Sequence, residues 1–348
     1  MPEGTSFVPA VDLVVPVWNR PVETRACLAE LARWSPAARL VLVDNGSDRE
    51  TEQLLQEFAE LLDERALLLR SERNQGFVRA LNRGLERAEA PLCGVVKAST
   101  LVTEGWLEPL LAVAEAEPDA GLLGPWLDSG RSGPGETREA DHGSFAVMLL
   151  RRDLYGRIGG FDEELDGDCW CLKDYTRRAW QAGFRTVAVA GGALRCLEET
   201  PYGSPVRRQE QARLAANHYA GRWGEERQFC IVLPTGSQAE LLVRQGPTLL
   251  AAARQGHRLS LLLPARLAQE ARAAGLLPAH DNIVSEGGPR LFPGRWLVRR
   301  LAALRVENPA LTLVAGGAAV AASAPADAIP FADLERLVTA ADRSNYGR

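Results

Sequence analysis

The chain is 348 residues long, 46% apolar and 24% charged, a composition that builds a buried core and excludes a disordered or collagen-like protein. Forty basic against 45 acidic residues leave a net charge of −5, without the positive field that a phosphate-backbone binder needs, so nucleic acid is not an expected partner. Of the basic residues 38 are arginines, and Lys97 and Lys173 are the two lysines.

The opening residues Met-Pro-Glu-Gly-Thr-Ser have neither the basic nor the apolar region of a secretory signal. The longest weakly polar run, 311–324, falls short of the roughly 20 apolar residues that span a bilayer. Six scattered cysteines form no disulfide framework. A cytoplasmic protein without a membrane span is the expectation.

Residues 11–17, Val-Asp-Leu-Val-Val-Pro-Val, read as a strand buried on both faces of a parallel sheet. A turn at 18–21 leads to a helix over 23–34, then a second apolar strand at 40–43. The polar cluster 44–48 opens a helix over 50–62, with Ser47 or Asp48 as its cap. A strand at 66–69, a loop at 71–76, a helix over 77–88 and a strand at 93–97 continue the alternation. This pattern gives an α/β domain with a mostly parallel, Rossmann-like sheet. Ligands of such sheets bind beyond the carboxyl ends of the strands, where 18–19, 44–48, 74–76 and 97–100 converge.

A helix over 104–117 and a strand at 121–124 follow, then the Gly/Ser/Pro-rich stretch 128–135, read as a mobile loop over the site. Residues 143–150 read as a strand, 152–158 and 174–182 as helices, the second closed by Gly183. A strand at 185–190 and a helix over 210–223 complete the first domain, 1–226. The remainder, 227–348, restarts the alternation with strands at 229–233, 259–263 and 311–314 and helices over 239–255 and 331–340. It is expected to be a smaller Rossmann-like α/β domain that docks an acceptor, a partner transferase or a second copy of the chain. Its Gly236-Ser237 turn could cradle a phosphate, although a plain strand-to-helix turn suits it better.

Val14-Val15-Pro16-Val17-Trp18-Asn19, Val43-Asp44-Asn45-Gly46-Ser47-Asp48 and Asn74-Gln75-Gly76-Phe77 through Ala80-Leu81-Asn82-Arg83-Gly84 resemble the ordered motifs of family 2 glycosyltransferases. Thr103-Glu104-Gly105-Trp106, Gly159-Gly160-Phe161-Asp162-Glu163, Arg178 through Ala182-Gly183, and Asn217-His218-Tyr219 follow in family order. The resemblance covers about residues 11 to 226. It implies a GT-A nucleotide-binding domain that takes a sugar from a nucleotide-sugar donor, with inversion, for a glycan, lipid or protein acceptor. It further implies that Pro16 and Asn19 line the base pocket, that Asp44 holds the nucleoside, and that Val17, Asn74, Gly76, Lys97 and Ser99 belong to the donor site. Asp44 equally suits an Asx-turn and helix cap, and Asn74 and Gly76 suit a turn.

Three positions depart from the family. Where an acidic pair usually holds Mg²⁺ or Mn²⁺, the chain reads Lys97-Ala98-Ser99-Thr100, and hard cations need charged oxygen ligands. No metal ligand set and no certain cofactor are therefore expected. Where the base Asp stands in the family, Cys171-Leu172-Lys173-Asp174 puts a leucine, leaving Asp174 or Asp168, with Asp166 nearby, as substitutes. Each of these carboxylates also suits a solvated loop or a cap. Where a metal-binding His is common, Arg195-Cys196 stands. Cys169, Cys171 and Cys196 could offer thiolates to zinc, but cysteines packed under a loop fit better. The expectation is a metal-independent transferase with Lys97, aided by Lys173 or an arginine, at the donor diphosphate. The alternative is a transferase-like binding or scaffold protein that has lost its chemistry.

Overall fold

The computed structural model describes residues 7–126, 133, 135–192, 194–197, 204–233, 236–277, 279–291, 293–317 and 327–345, the last five by backbone alone. The loop expected at 128–135 lies outside these residues except for 133 and 135, as do 234–235 of the turn before Gly236. The chain divides into two compact units, Met1–Tyr219 and Ala220–Arg348.

In the first unit β1 (Val11–Val17), α1 (Pro21–Trp34), β2 (Ala38–Asp44), α2 (Arg49–Leu62), β3 (Ala66–Arg70), α3 (Phe77–Glu86) and β4 (Leu92–Val96) alternate strictly. Next come β5 (Thr100–Val102), α4 (Glu108–Ala116), β6 (Ala120–Pro125), β7 (Thr137–Glu139), β8 (Val147–Arg151), α5 (Arg152–Ile158), α6 (Trp170–Gln181), β9 (Arg185–Val189), β10 (Leu194–Cys196) and α7 (Pro205–Trp223). Among the described residues eight strands form one sheet in the order β3-β2-β1-β4-β8-β6-β9-β7. The β3-β2-β1-β4 half is parallel, whereas β8 runs antiparallel to both β4 and β6. The strand order reverses between β1 and β4, which makes the crevice beyond their carboxyl ends the topological switch point.

Every residue of β1 is buried, as a strand covered on both faces must be. Val11, Leu13, Val15 and Val17 join Leu28, Leu31 and Leu55 of α1 and α2 in one core. On the other face α3 approaches so closely that a Cβ on Gly84 would stand 2.2 Å from Val14 Cγ1, so only glycine fits there. Two short strands escape the hydrophobic pattern: β5 and β10, three residues each, pair antiparallel with Cys196 opposite Thr100 and Arg195 opposite Leu101. Helix α4 begins at Glu108 rather than 104 because Gly105 adopts φ 74° in the preceding turn.

The second unit contains β11 (Gln228–Val232), α8 (Ala239–Arg254), β12 (Arg258–Leu263), α9 (Ala265–Ala273), β13 (Ile283–Gly287), α10 (Pro293–Glu307), β14 (Thr312–Ala315), β15 (Ile329–Pro330) and α11 (Phe331–Asn345). Its five strands are all parallel in the order β13-β12-β11-β14-β15, a Rossmann-like sheet. β13, with the sequence Ile-Val-Ser-Glu-Gly, and the two-residue β15 lack the apolar run that betrays a buried strand, and they stand at the two sides of the sheet.

Asp12 joins three strand starts in the first unit. Its carboxylate accepts both arms of the Arg39 guanidinium at 2.7 and 2.8 Å and the amides of Glu89 and Ala90 ahead of β4. Burial pushes the carboxyl up, but the Arg39 fork and the two amides outweigh it and hold Asp12 below the ordinary carboxylate value. The unfolded chain therefore binds more protons than the native one between the two values, and stability rises with pH through that window. Asp12→Asn leaves Arg39 only the exposed Glu89, at 3.5 Å, as a counter-charge and is expected to cost about 3 kcal/mol at neutral pH by urea denaturation. The difference from the parent should shrink as the pH falls below the ordinary carboxylate value.

Candidate active site

The loop after β1 turns through Asn19 and Arg20, both with positive φ, 56° and 60°. The Asn19 amide donates to Ser47 Oγ at 2.9 Å, and Asn19 Oδ1 accepts the Asp48 amide at 2.8 Å. Asp44 Oδ1 accepts the Ser47 amide three residues on, and Asp48 Oδ1 accepts the Thr51 amide, capping α2. Of the two cap candidates, Asp48 is the one used. Gly46, at φ 73°, lies so close to the backbone that a Cβ would meet Arg73 C at 2.4 Å.

Asn45 ties this loop to the next. Buried to 4% exposure, its Nδ2 donates to Asn74 Oδ1 and to the Gly76 carbonyl, both at 3.0 Å, while its Oδ1 accepts the Gln75 amide at 3.0 Å. Asn74 Oδ1 in turn accepts the Gly76 amide. One side chain thus fixes the loop that leads into α3. Asn45 escaped the sequence reading although it stands in a quoted motif; two asparagines, each just after a parallel strand, were its only signal.

A cavity of about 180 Å³ opens at the switch point. Pro16, Val17, Trp18 and Asn19 form one wall, Asn45, Asn74 and Phe77 another, and Lys97, Ala98 and Ser99 a third, with Arg20, Glu23 and Thr24 at the start of α1. Six expected donor-site residues, Pro16, Val17, Asn19, Asn74, Lys97 and Ser99, therefore meet in one cavity. Trp18 and Asn74 also border a second, larger cavity of about 740 Å³ that holds Gln75, Gly76, Glu163, Glu164, Asp166, Arg207, Arg208 and Gln211. Gly76 belongs to this second cavity. Asp44 lines neither: at 2% exposure, its Oδ1 is taken by Ser47 and its Oδ2 stands 3.7 Å from Arg70 Nε.

The two expected base carboxylates lie elsewhere. Asp174 is fully buried and accepts Arg178 Nε at 2.7 Å. Arg178 uses its other nitrogens on the Ile158 and Gly160 carbonyls at 2.8 and 2.9 Å. Asp174 therefore aims an arginine that clamps the Gly159-Gly160 turn. Asp168 is exposed at φ 54° ahead of α6 and lines neither cavity. Asp166 does face the larger cavity, with Oδ2 accepting the Val78 amide at 3.3 Å at the start of α3. Burial pushes its carboxyl above the ordinary value, against the pull of the Val78 and Phe77 amides. Lys173 is also withdrawn: 7% exposed, it pairs with Asp141 at 3.2 Å and lies 5.5 Å from the Trp170 ring.

The residues at the metal slot do not fit Mg²⁺ or Mn²⁺. The wall at this slot is Lys97, Ala98 and Ser99, an ammonium and a hydroxyl where a hard dication needs carboxylates, and the β5–β10 ladder beside it sets Cys196 opposite Thr100 and Arg195 opposite Leu101. Among the described residues no three His, Cys, Asp or Glu side chains gather to hold a metal ion. The zinc alternative meets the same finding, and burial pushes the Cys171 thiol up to about 12. Lys97 is exposed at the end of β4, its amide bonded to the Ala146 carbonyl and its own carbonyl to the Thr100 amide.

Residues 12–162 match the family model described as Glycosyl transferase family 2. Glycosyltransferase AglE of Haloferax volcanii is 24% identical over 227 residues, 59% of this chain and 72% of that protein. The mannosyltransferase PcManGT of Pyrobaculum calidifontis, solved with GDP-Man and Mn²⁺, aligns over 98% of this chain and 88% of its own at 17% identity and a TM-score of 0.48. GalNAc-T7, solved with UDP, GalNAc and Mn²⁺, aligns over 64% of this chain and 50% of its own at 16% identity and a TM-score of 0.51, a likeness of fold.

Asn45→Ala removes three hydrogen bonds from a buried position and leaves the Gln75 amide and Gly76 carbonyl short of partners. It is expected to lower stability by roughly 2–4 kcal/mol in urea denaturation. Asn45→Asp keeps an acceptor for Gln75 but has no donor for Asn74 or Gly76, and should recover less than half of that loss.

Proposed function

We propose, from the match of residues 12–162 to the model of glycosyl transferase family 2 and a fold like that of GalNAc-T7, that this chain is a GT-A member of that family and moves a sugar from a nucleoside-diphosphate sugar to an acceptor hydroxyl, with inversion and without a divalent metal. The observation that carries the reading is the cavity at the switch point, where Pro16, Val17, Asn19, Asn74, Lys97 and Ser99 meet. The base and ribose occupy the side of Pro16 to Asn19. The diphosphate lies towards Lys97 and Arg20, two cations that line this cavity. Together they supply the two positive charges that a metal ion brings to this step elsewhere. Lysine meets phosphate as a point charge and arginine as a fork. As the bond from the anomeric carbon to the diphosphate breaks, these groups hold the developing negative charge.

The acceptor enters the larger cavity that shares Trp18 and Asn74 with the first. Inversion needs a base on the face opposite the leaving group. Asp166 is the candidate carboxylate in that wall, and its raised proton affinity suits a group that takes a hydroxyl proton. A second reading, nucleotide-sugar binding without turnover, is favoured by Leu172 in the family's base position and by the enclosure of Asp174.

Incubation with UDP-, GDP- and dTDP-sugars in EDTA, following release of the nucleoside diphosphate, separates these readings. Turnover in EDTA is expected, with Lys97→Ala slowing it about a hundredfold and Asp166→Asn abolishing it while Asp168→Asn does not. Activity that returns only with Mn²⁺ contradicts the lysine role; binding of a nucleotide-sugar with no turnover in any condition selects the second reading.

A further inference from the structure

The carboxy-terminal unit presents a surface that the transferase reading leaves unused. Residues 289–306 contain Arg290, Arg295, Arg299, Arg300 and Arg305 and no acidic residue, in a chain whose net charge is −5. Most of the segment is α10, which turns Leu301 and Leu304 into a core with Cys230, Val232, Leu262 and Leu313. Its opposite face carries Arg295, Val298, Arg299, Ala302 and Val306, spaced to form one stripe along the helix. Val298 is 69% and Val306 84% exposed, and Leu291, just before the helix, is 76% exposed. A shallow groove of about 490 Å³ at the near end is lined by Leu291, Arg295, Trp296 and Arg299, among others.

Arg300 pairs with Glu286 and Glu307, and Arg305 with Asp327, so these two hold the helix to its own unit. Arg295 and Arg299 stand on the exposed stripe between the apolar residues, and Arg290 meets the neutral Gln269 amide oxygen at 3.4 Å.

We propose that this stripe docks α10 onto an anionic membrane surface, the helix lying in the plane of the headgroups. The argument is the mixture on one face. Arginines alone would serve any polyanion, but exposed Val298, Val306 and Leu291 gain nothing from a phosphate backbone. At the boundary of headgroups and acyl chains the same valines and leucine leave water while the guanidiniums meet lipid phosphates, and a half-buried tryptophan such as Trp296 suits that depth. The helix is about 22 Å long, enough to lie along the surface, and it does not cross.

The full chain, sedimented with vesicles of phosphatidylcholine alone and of phosphatidylcholine mixed with phosphatidylglycerol, tests this. Binding is expected to the mixed vesicles and to weaken as salt is raised. The double variant Arg295→Glu, Arg299→Glu should bind at least about a hundredfold more weakly, and the double variant Arg295→Lys, Arg299→Lys should retain binding. Val298→Asp should weaken it even at low salt, with circular dichroism reporting that each variant is folded. Equal binding to both vesicle types, full binding by the folded charge-reversed variant, or capture of RNA with the vesicles left unbound would overturn the proposal. None of these outcomes depends on whether the amino-terminal unit turns over a nucleotide-sugar.

Discussion

The site depends on a single buried amide. Asn45 stands where β2 ends, and its three side-chain hydrogen bonds hold the 74–76 loop that starts α3. The same turn is tied to β1 through Asn19, Ser47 and Asp48. A buried amide must find partners for its donors and its acceptor or lose several kcal/mol, so the two loops cannot drift independently. That constraint helps to shape the cavity lined by Pro16, Asn74 and Lys97.

The motif residues shared with family 2 fall into two classes once their contacts are seen. One class holds the fold. Asn82 exchanges hydrogen bonds with the Phe161 backbone at 2.8 and 2.9 Å, and a Cβ on Gly160 would meet Asn82 Oδ1 at 2.5 Å. Arg178, aimed by Asp174, grips the carbonyls on either side of Gly159. The other class faces the cavity, and among the positions where the sequence departs from the motifs it resembles, Lys97 and Ser99 stand there. Around the place proposed for the diphosphate the cavity wall thus offers an ammonium at Lys97 and a hydroxyl at Ser99.

The alternation of β1, α1, β2, α2, β3, α3 and β4 was legible because continuous apolar runs between polar turns have no other folded use. So were the strand-end loops, since a parallel sheet gathers them at one edge. What stayed hidden depends on contacts distant in sequence. β5 and β10 are three-residue strands that pair across more than ninety positions, and nothing local marks them. Asp174 read as a spare carboxylate because its partner Arg178 serves carbonyls some twenty residues earlier. Asp166 read as secondary to Asp174 and Asp168, yet it alone of the three meets the start of α3, 88 residues away. Lys173 read as a second cation for the donor, and Asp141 has claimed it.

The central claim is that side chains of this domain, Lys97 with Arg20, take the place of a divalent cation beside the nucleotide. Titration calorimetry of UDP, GDP and dTDP into the full chain, once in EDTA and once with Mn²⁺, measures it directly. The account predicts that at least one of these nucleotides binds with the same affinity in both conditions. Binding seen only with Mn²⁺, or none with any of the three, would contradict it.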